Sequence, residues 1–177
     1  MKARTMNVRT DSRANGALPL DLGWRGGWLG LKVIGGPFDN FRPGVNADFG
    51  VCVRAEQAPT TADAHLPIRD FQVPAPGQKG EVDATLKKAF EQLLFGKRVW
   101  VGCMGGWGRT GLFLALMAKV AGVEDPVGYV RANYTTKAVE TLEQLNYVKA
   151  FDVRELQQWL FWRAWTTRTL KTIFWWA

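Results

Sequence analysis

The sequence is short of the residues that build covalent or metal-bound scaffolds. Its 177 residues include two cysteines and one histidine. Cys52 and Cys103 lie far apart, and together with His65 they fall short of the ligand set of a structural zinc site. A disulfide-stapled secreted scaffold would carry more cysteine, so a reducing, cytoplasmic setting is expected. Long apolar runs are lacking too: none reaches the length of about eighteen residues that marks a membrane span. The opening residues MKARTMNVRTDSRANG are basic but have no apolar h-region, so they are not expected to act as a secretory signal. Residues 1–20 read instead as a flexible lead-in. Repeats and low-complexity tracts are missing. Acidic residues are in deficit, 16 against 23 lysines and arginines, for a net charge of +7. That balance favours an anionic partner without choosing among phosphate esters, nucleic acid and an acidic membrane surface.

What is present fits one domain with a sizeable core. Residues 21–155 read as that domain and residues 156–177 as a basic, tryptophan-rich helix packed on it. Gly23–Phe38 reads as short strands broken by glycines, Asp48–Glu56 as a central strand with Phe49, Val51 and Val53 on one side, and His65–Gly77 as a short strand running into a proline-rich loop. From Glu81 to Phe95 the apolar residues Val82, Leu86, Ala89, Phe90, Leu93 and Leu94 follow helical spacing, and Gly96 ends the helix. Lys97–Gly102 is the next strand. Leu112–Val120 is apolar nearly all round and is expected to be a buried helix. Asp125-Pro126 opens a short helix through Val130, and Thr141-Leu142-Glu143-Gln144 fits a capping box that starts another. Strands alternating with helices predict an α/β fold with a central, mostly parallel sheet flanked by helices.

The segment VWVGCMGGWGRTGLFLALMAKV (Val99–Val120) carries the chemistry. Cys103 ends a strand, and sheet-edge positions of that kind line ligand sites in α/β proteins. Met104, Gly105, Gly106, Trp107 and Gly108 follow. Their glycines let the backbone curl so that successive N–H groups face one oxyanion. The helix that comes next adds its positive end. Arg109 can fork two hydrogen bonds to two phosphate oxygens. The same field favours a thiolate at Cys103, and Thr110 is placed to donate a hydrogen bond to the sulfur. A Walker A loop is excluded, because no Gly-Lys-Ser/Thr follows the turn.

CMGGWGRTG resembles the Cys-x5-Arg-Ser/Thr-Gly signature of the protein tyrosine and dual-specificity phosphatase superfamily. PIRDFQVP (Pro67–Pro74) resembles the loop carrying that family's general acid, which puts Asp70 in the role, with Asp63 or Asp83 as replacements. TLEQLNYV (Thr141–Val148) resembles the late helix whose glutamine positions water, which puts Gln144 there. VCVRAE (Val51–Glu56) resembles the strand before the acid loop. The pattern looks most like the branch around the cyclin-dependent-kinase-associated phosphatase and spans roughly Gly23 to Phe151. Gly102 departs from it, because the family usually has histidine just before the cysteine.

The resemblance implies a phosphate monoester hydrolase needing no metal or organic cofactor. Cys103 would form a phosphocysteine, the loop amides and Arg109 would bind phosphate, and Asp70 would protonate the leaving oxygen. A phosphorylated protein is the expected substrate. The loop holds no lysine, which disfavours inositol phospholipids. A 5′-phosphorylated RNA end is the alternative, as is a phosphate-binding module without turnover, which Gly102 keeps open. His65 reads as structural, and Trp107 either shapes the pocket rim or packs beneath it. Phe161–Ala177 mixes Arg163, Arg168 and Lys171 with tryptophan and phenylalanine, so contact with an anionic membrane or nucleic-acid bases is a second reading of the tail. Cys52 reads as a core thiol, with a disulfide to oxidised Cys103 as the sharper alternative.

Overall fold

A computed structural model describes residues 16–21 and 30–174, with side chains through residue 167. Five strands form one sheet: β1 (Gly16–Asp21), β2 (Gly30–Pro37), β3 (Phe49–Cys52), β4 (Ala64–His65) and β5 (Val99–Cys103). Their order is β1-β2-β5-β3-β4, with β1 antiparallel to β2 and every other pairing parallel. The expected α/β class with a mostly parallel centre is therefore the observed one. β5 is inserted between β2 and β3 and all five of its residues are buried. Its C-terminal end is where an α/β sheet of this kind opens a crevice.

The helices are α1 (Lys79–Leu94), α2 (Gly108–Val120), α3 (Pro126–Asn133), α4 (Leu142–Ala150) and α5 (Arg154–Phe174). All six apolar positions that set the period of α1 are buried, and Gly96 beyond its end adopts φ +80°. Apart from Lys119, α2 is buried along its whole length. Burial lowers the Lys119 pKa, and its ammonium donates to the carbonyls of Val148, Lys149 and Phe151, closing the C-terminus of α4. Asp125 caps α3 by accepting from the Gly128 N–H at 3.0 Å, with Pro126 in the first turn. Thr141 caps α4 by accepting from the Gln144 N–H at 3.1 Å.

One cluster fills the space between sheet and helices, including Leu18, Val33, Val51, Val101 and Cys103 with Leu86, Phe90, Phe113 and Leu116. A smaller cluster of Phe38, Phe41, Ala47, Cys52 and Trp100 covers part of the other sheet face. α5 lays Leu156, Leu160 and Ala164 into the main core, one residue per turn, beside α1.

Three expectations need correction. Gly16–Leu20, read as part of a lead-in, belongs to an edge strand, because Leu18 and Leu20 face Val33 and Leu31 and are fully buried; residues 1–15 lie outside the described residues, as do 22–29. The strand expected over Asp48–Glu56 ends at Cys52, and the chain beyond it turns toward the cysteine loop. The Cys52–Cys103 disulfide loses its geometric basis. Cys52 pairs with Gly102, so its side chain shares the face of Gly102 and Trp100, whereas Cys103 is one residue on and faces the helices. Side chains on opposite faces of adjacent strands do not present Cβ atoms to one another. Desolvation raises the Cys52 pKa, which also suits an inert core thiol.

Candidate active site

The cysteine loop runs from the end of β5 into the first turn of α2. Cys103 is 3% exposed, with its sulfur accepting a hydrogen bond from the Gly106 N–H at 3.2 Å. That bond requires a tight reversal, and Gly106 supplies it with φ +77°. A Cβ at Gly106 would also lie 2.6 Å from the backbone of Gly36 and Pro37. The Thr110 hydroxyl oxygen accepts from the Cys103 N–H at 2.9 Å. Its recorded partner is thus the backbone of the cysteine, not the sulfur, and the bond ties the helix start to the strand end. The Tyr134 hydroxyl donates to the Gly106 carbonyl at 2.5 Å, which ties the loop to the segment after α3. Trp107 is half-buried with the Lys137 ammonium 4.1 Å above its ring, a cation–π contact that braces the rim. The first amides of α2 have no partner within the helix and face this loop.

Arg109 is 2% exposed. Its Nη1 donates to Glu56 Oε2 at 2.7 Å and to the Ile68 carbonyl at 3.1 Å, and its Nη2 lies 3.1 Å from Asp70 Oδ1. Its Nε is buried with no partner among the described residues. Burial works against the guanidinium charge, but the Glu56 hydrogen bond and the charges of Cys103 and Asp70 outweigh it and raise the pKa. The same hydrogen bond lowers the pKa of Glu56. Nη1 and Nη2 are therefore both engaged, by Glu56, the Ile68 carbonyl and Asp70, while Nε has no partner among the described residues.

Asp70 reaches this site from a loop that is fastened at several points. Phe71 adopts φ +59°, unusual for a residue with a side chain, and its carbonyl accepts from Thr141 Oγ1 at 3.2 Å. Gln144 is fully buried, and its Nε2 donates to the Gln72 carbonyl at 3.1 Å. Its Oε1 accepts from the Glu140 N–H at 2.9 Å, so the reciprocal half of the capping box falls one residue earlier than expected. Gln144 thus binds the Pro67–Pro74 loop to α4 and keeps one Nε2 hydrogen unassigned. Asp63 accepts from the Gly50 N–H, and Asp83 pairs with Lys79. Both are engaged elsewhere, whereas Asp70 of the Pro67–Pro74 loop meets Arg109. His65 bonds the Arg54 carbonyl at 2.7 Å, a structural contact. Among the described residues no cluster of three or more His, Cys, Asp or Glu side chains could hold a metal ion.

The family model described as "PTP-SAK: Swiss Army Knife protein, DSP-PTPase phosphatase domain" matches residues 53–158, more than half of the chain. The chain belongs to the dual-specificity and protein tyrosine phosphatase family. Two uncharacterized proteins of Methanocaldococcus jannaschii are similar to it. One is 38% identical over 87 residues, 49% of this chain and 57% of its own length; the other is 37% identical over 84 residues, 48% and 51%. The chain spans about half the length of these curated relatives. Among solved structures, Tk-PTP in its active form aligns with TM-score 0.51 at 26% identity over 64% of this chain and 80% of its own. Kinase associated phosphatase, with serine substituted at its catalytic site cysteine, aligns with TM-score 0.54 at 17% identity over 86% and 98%, a likeness of fold.

This phosphatase-family domain departs from the usual pattern at Gly102 for a steric reason. A Cβ there would stand 2.7 Å from the Gly36 carbonyl oxygen and from the Phe38 backbone, atoms that no rotamer can move aside. Histidine does not fit at this position in this chain. Gly102→Ala should lower stability by about 2–3 kcal/mol, and the melting temperature by on the order of 5–10 °C. Thermal unfolding measures it, and an unchanged midpoint would refute the steric account.

Two contributors, Glu56 and Tyr134, carry no mark of their part in the site in the sequence. No local pattern marks either residue, because each meets the loop across a long stretch of chain.

Proposed function

We propose that this domain hydrolyses phosphate monoesters through a phosphocysteine on Cys103, with phosphotyrosine or phosphoserine/threonine in a protein as the substrate class. The reading is carried by the convergence on one buried guanidinium, Arg109, of the loop that begins at buried Cys103 and of Asp70 from a loop distant in sequence. The phosphate dianion enters between the loop amides and the fork of Nε and Nη2, displacing the Asp70 carboxylate from Nη2. Released from its ion pair, the Asp70 carboxylate takes a proton from solvent water and stands beside the leaving oxygen. The Cys103 thiolate attacks phosphorus, and the P–O bond to the leaving group breaks. Loop amides and Arg109 hold the three equatorial oxygens, and Asp70 gives its proton to the departing alkoxide or phenoxide. Asp70, now ionised, takes a proton from a water that the unassigned Nε2 hydrogen of Gln144 orients. That water opens the S–P bond and releases inorganic phosphate. The loop Met104–Gly108 has no lysine to match the added charges of an inositol phospholipid.

Asp70→Asn tests the assignment through the leaving group. Hydrolysis of an alkyl phosphate, whose alkoxide needs the proton, should fall by about 10²–10³-fold, and that of p-nitrophenyl phosphate by less than about tenfold. Steady-state rates on the two esters decide it. An equal loss on both would remove Asp70 as the acid, and no release of phosphate from either ester by the unaltered protein would leave a binding module in place of an enzyme.

A further inference from the structure

A second arginine stands beside the cysteine loop and the hydrolysis does not use it. Arg54 lies two residues past the end of β3, at the same end of the sheet as Cys103. Its Nη1 donates to the Met104 sulfur at 3.7 Å, and Met104 is the residue next to Cys103 in the loop. Arg54 is 8% exposed, and its Nε is buried with no partner among the described residues. The ion partner of Nη1 is Asp39 Oδ1 at 3.1 Å, on a side chain that is 62% exposed. Met104 is 49% exposed. A nearly buried guanidinium is thus covered at its outer end by a solvent-facing carboxylate and a flexible thioether.

Arg109 stands in the same relation to Asp70, whose side chain is 54% exposed. The two guanidiniums also act on one carboxylate. Glu56 accepts from Arg109 at 2.7 Å, and the charge of Arg54 adds to the lowering of its pKa. An anion that replaces Asp39 exchanges like for like, so the buried guanidinium is never left without a counter-charge. The group already seated there is a carboxylate, which fixes the chemistry that fits. A nucleic-acid strand needs a row of cations along its backbone, and here there is one guanidinium beside the phosphate cradle. We propose that Arg54 forms a second anion subsite, selecting phosphopeptides that carry an acidic side chain next to the phosphorylated residue. The subsite rests on the reading of the cysteine loop as a phosphate cradle.

Fluorescence anisotropy with the Cys103→Ser protein reads affinity without turnover. Two labelled peptides are compared, identical except that glutamate flanks phosphotyrosine in one and glutamine in the other. The acidic peptide should bind about fivefold more tightly or better. Arg54→Gln should bring the two affinities to within about twofold of each other. Asp39→Asn removes the competing carboxylate from an exposed position and should widen the preference by about two- to threefold. Each ratio is taken within one variant, so a general loss of binding cancels, and the asparagine variant decides if the glutamine variant does not fold. Equal affinity for the two peptides overturns the inference alone. So does a preference that survives Arg54→Gln in a folded protein, or one that Asp39→Asn leaves unchanged or narrows. Tighter binding of a 5′-phosphorylated oligonucleotide than of the acidic peptide overturns the choice of a peptide. Binding of neither peptide overturns the phosphate cradle itself, and the subsite with it.

Discussion

Cys103→Ser should reduce hydrolysis of p-nitrophenyl phosphate by on the order of 10⁴-fold or more while the fold and phosphate binding persist. The loss follows from the nucleophile. Sulfur is intrinsically far more nucleophilic than a serine hydroxyl in the same place. Persistence follows from how the loop is held. The Cys103 N–H is fixed by Thr110 and the Gly106 carbonyl by Tyr134, and neither bond involves the sulfur. A serine oxygen is smaller than sulfur and still accepts from the Gly106 N–H. Initial rates measure the first effect, and calorimetric titration with inorganic phosphate the second. Turnover by the serine variant within about tenfold of the unaltered protein would exclude the covalent route.

The local parts of this site were legible because they are contiguous. A strand end, glycines, an arginine and an apolar helix follow one another within Val99–Val120, and each link obeys a short-range rule. The left-handed turn at Gly106 is such a link. The long-range parts were legible only through resemblance. Nothing within Pro67–Pro74 by itself says that Asp70 will meet Arg109, and nothing in the capping box says that Gln144 will donate to the Gln72 carbonyl. Where neither local rule nor motif spoke, the reading missed. Glu56 sits 53 residues from Arg109, and apolar residues at Phe49, Val51 and Val53 favoured carrying the strand through it. The ladder instead ends at Cys52, and the Ala55 N–H bonds the Ile68 carbonyl, which brings this segment alongside the acid loop. Cys52 shows the same limit. The two strands are neighbours, since Cys52 sits opposite Gly102, but a register one residue off puts the Cys52 and Cys103 side chains on opposite faces of the sheet. Gly102 carries the converse lesson. In the sequence its missing side chain keeps a module without turnover open, whereas the backbone of Gly36 and Phe38 occupies the space that any side chain would need.

Arg109→Lys should be nearly as damaging as loss of the cysteine, with hydrolysis falling by on the order of 10³-fold despite the retained positive charge. The guanidinium serves two directions at once. Nη1 is engaged by Glu56 and the Ile68 carbonyl, and those bonds fix the plane of the guanidinium, leaving Nε and Nη2 as the donors for the phosphate in the proposed mechanism. An ammonium is a point donor on a flexible stem. Placed near Glu56 it abandons the anion, and placed near the anion it abandons the Glu56 carboxylate, so the bidentate hold on two equatorial oxygens is lost in either position. The deficit should appear in kcat as well as in KM, because the equatorial oxygens carry more charge as phosphorus is transferred than in the bound ester. Inorganic phosphate should bind more weakly to this variant than to Cys103→Ser. Steady-state kinetics on an aryl phosphate, with phosphate titration of both variants, check the pair of expectations. A lysine variant that retains kcat and changes KM alone would show that Arg109 binds the ground state only and would remove it from the transition-state role proposed here.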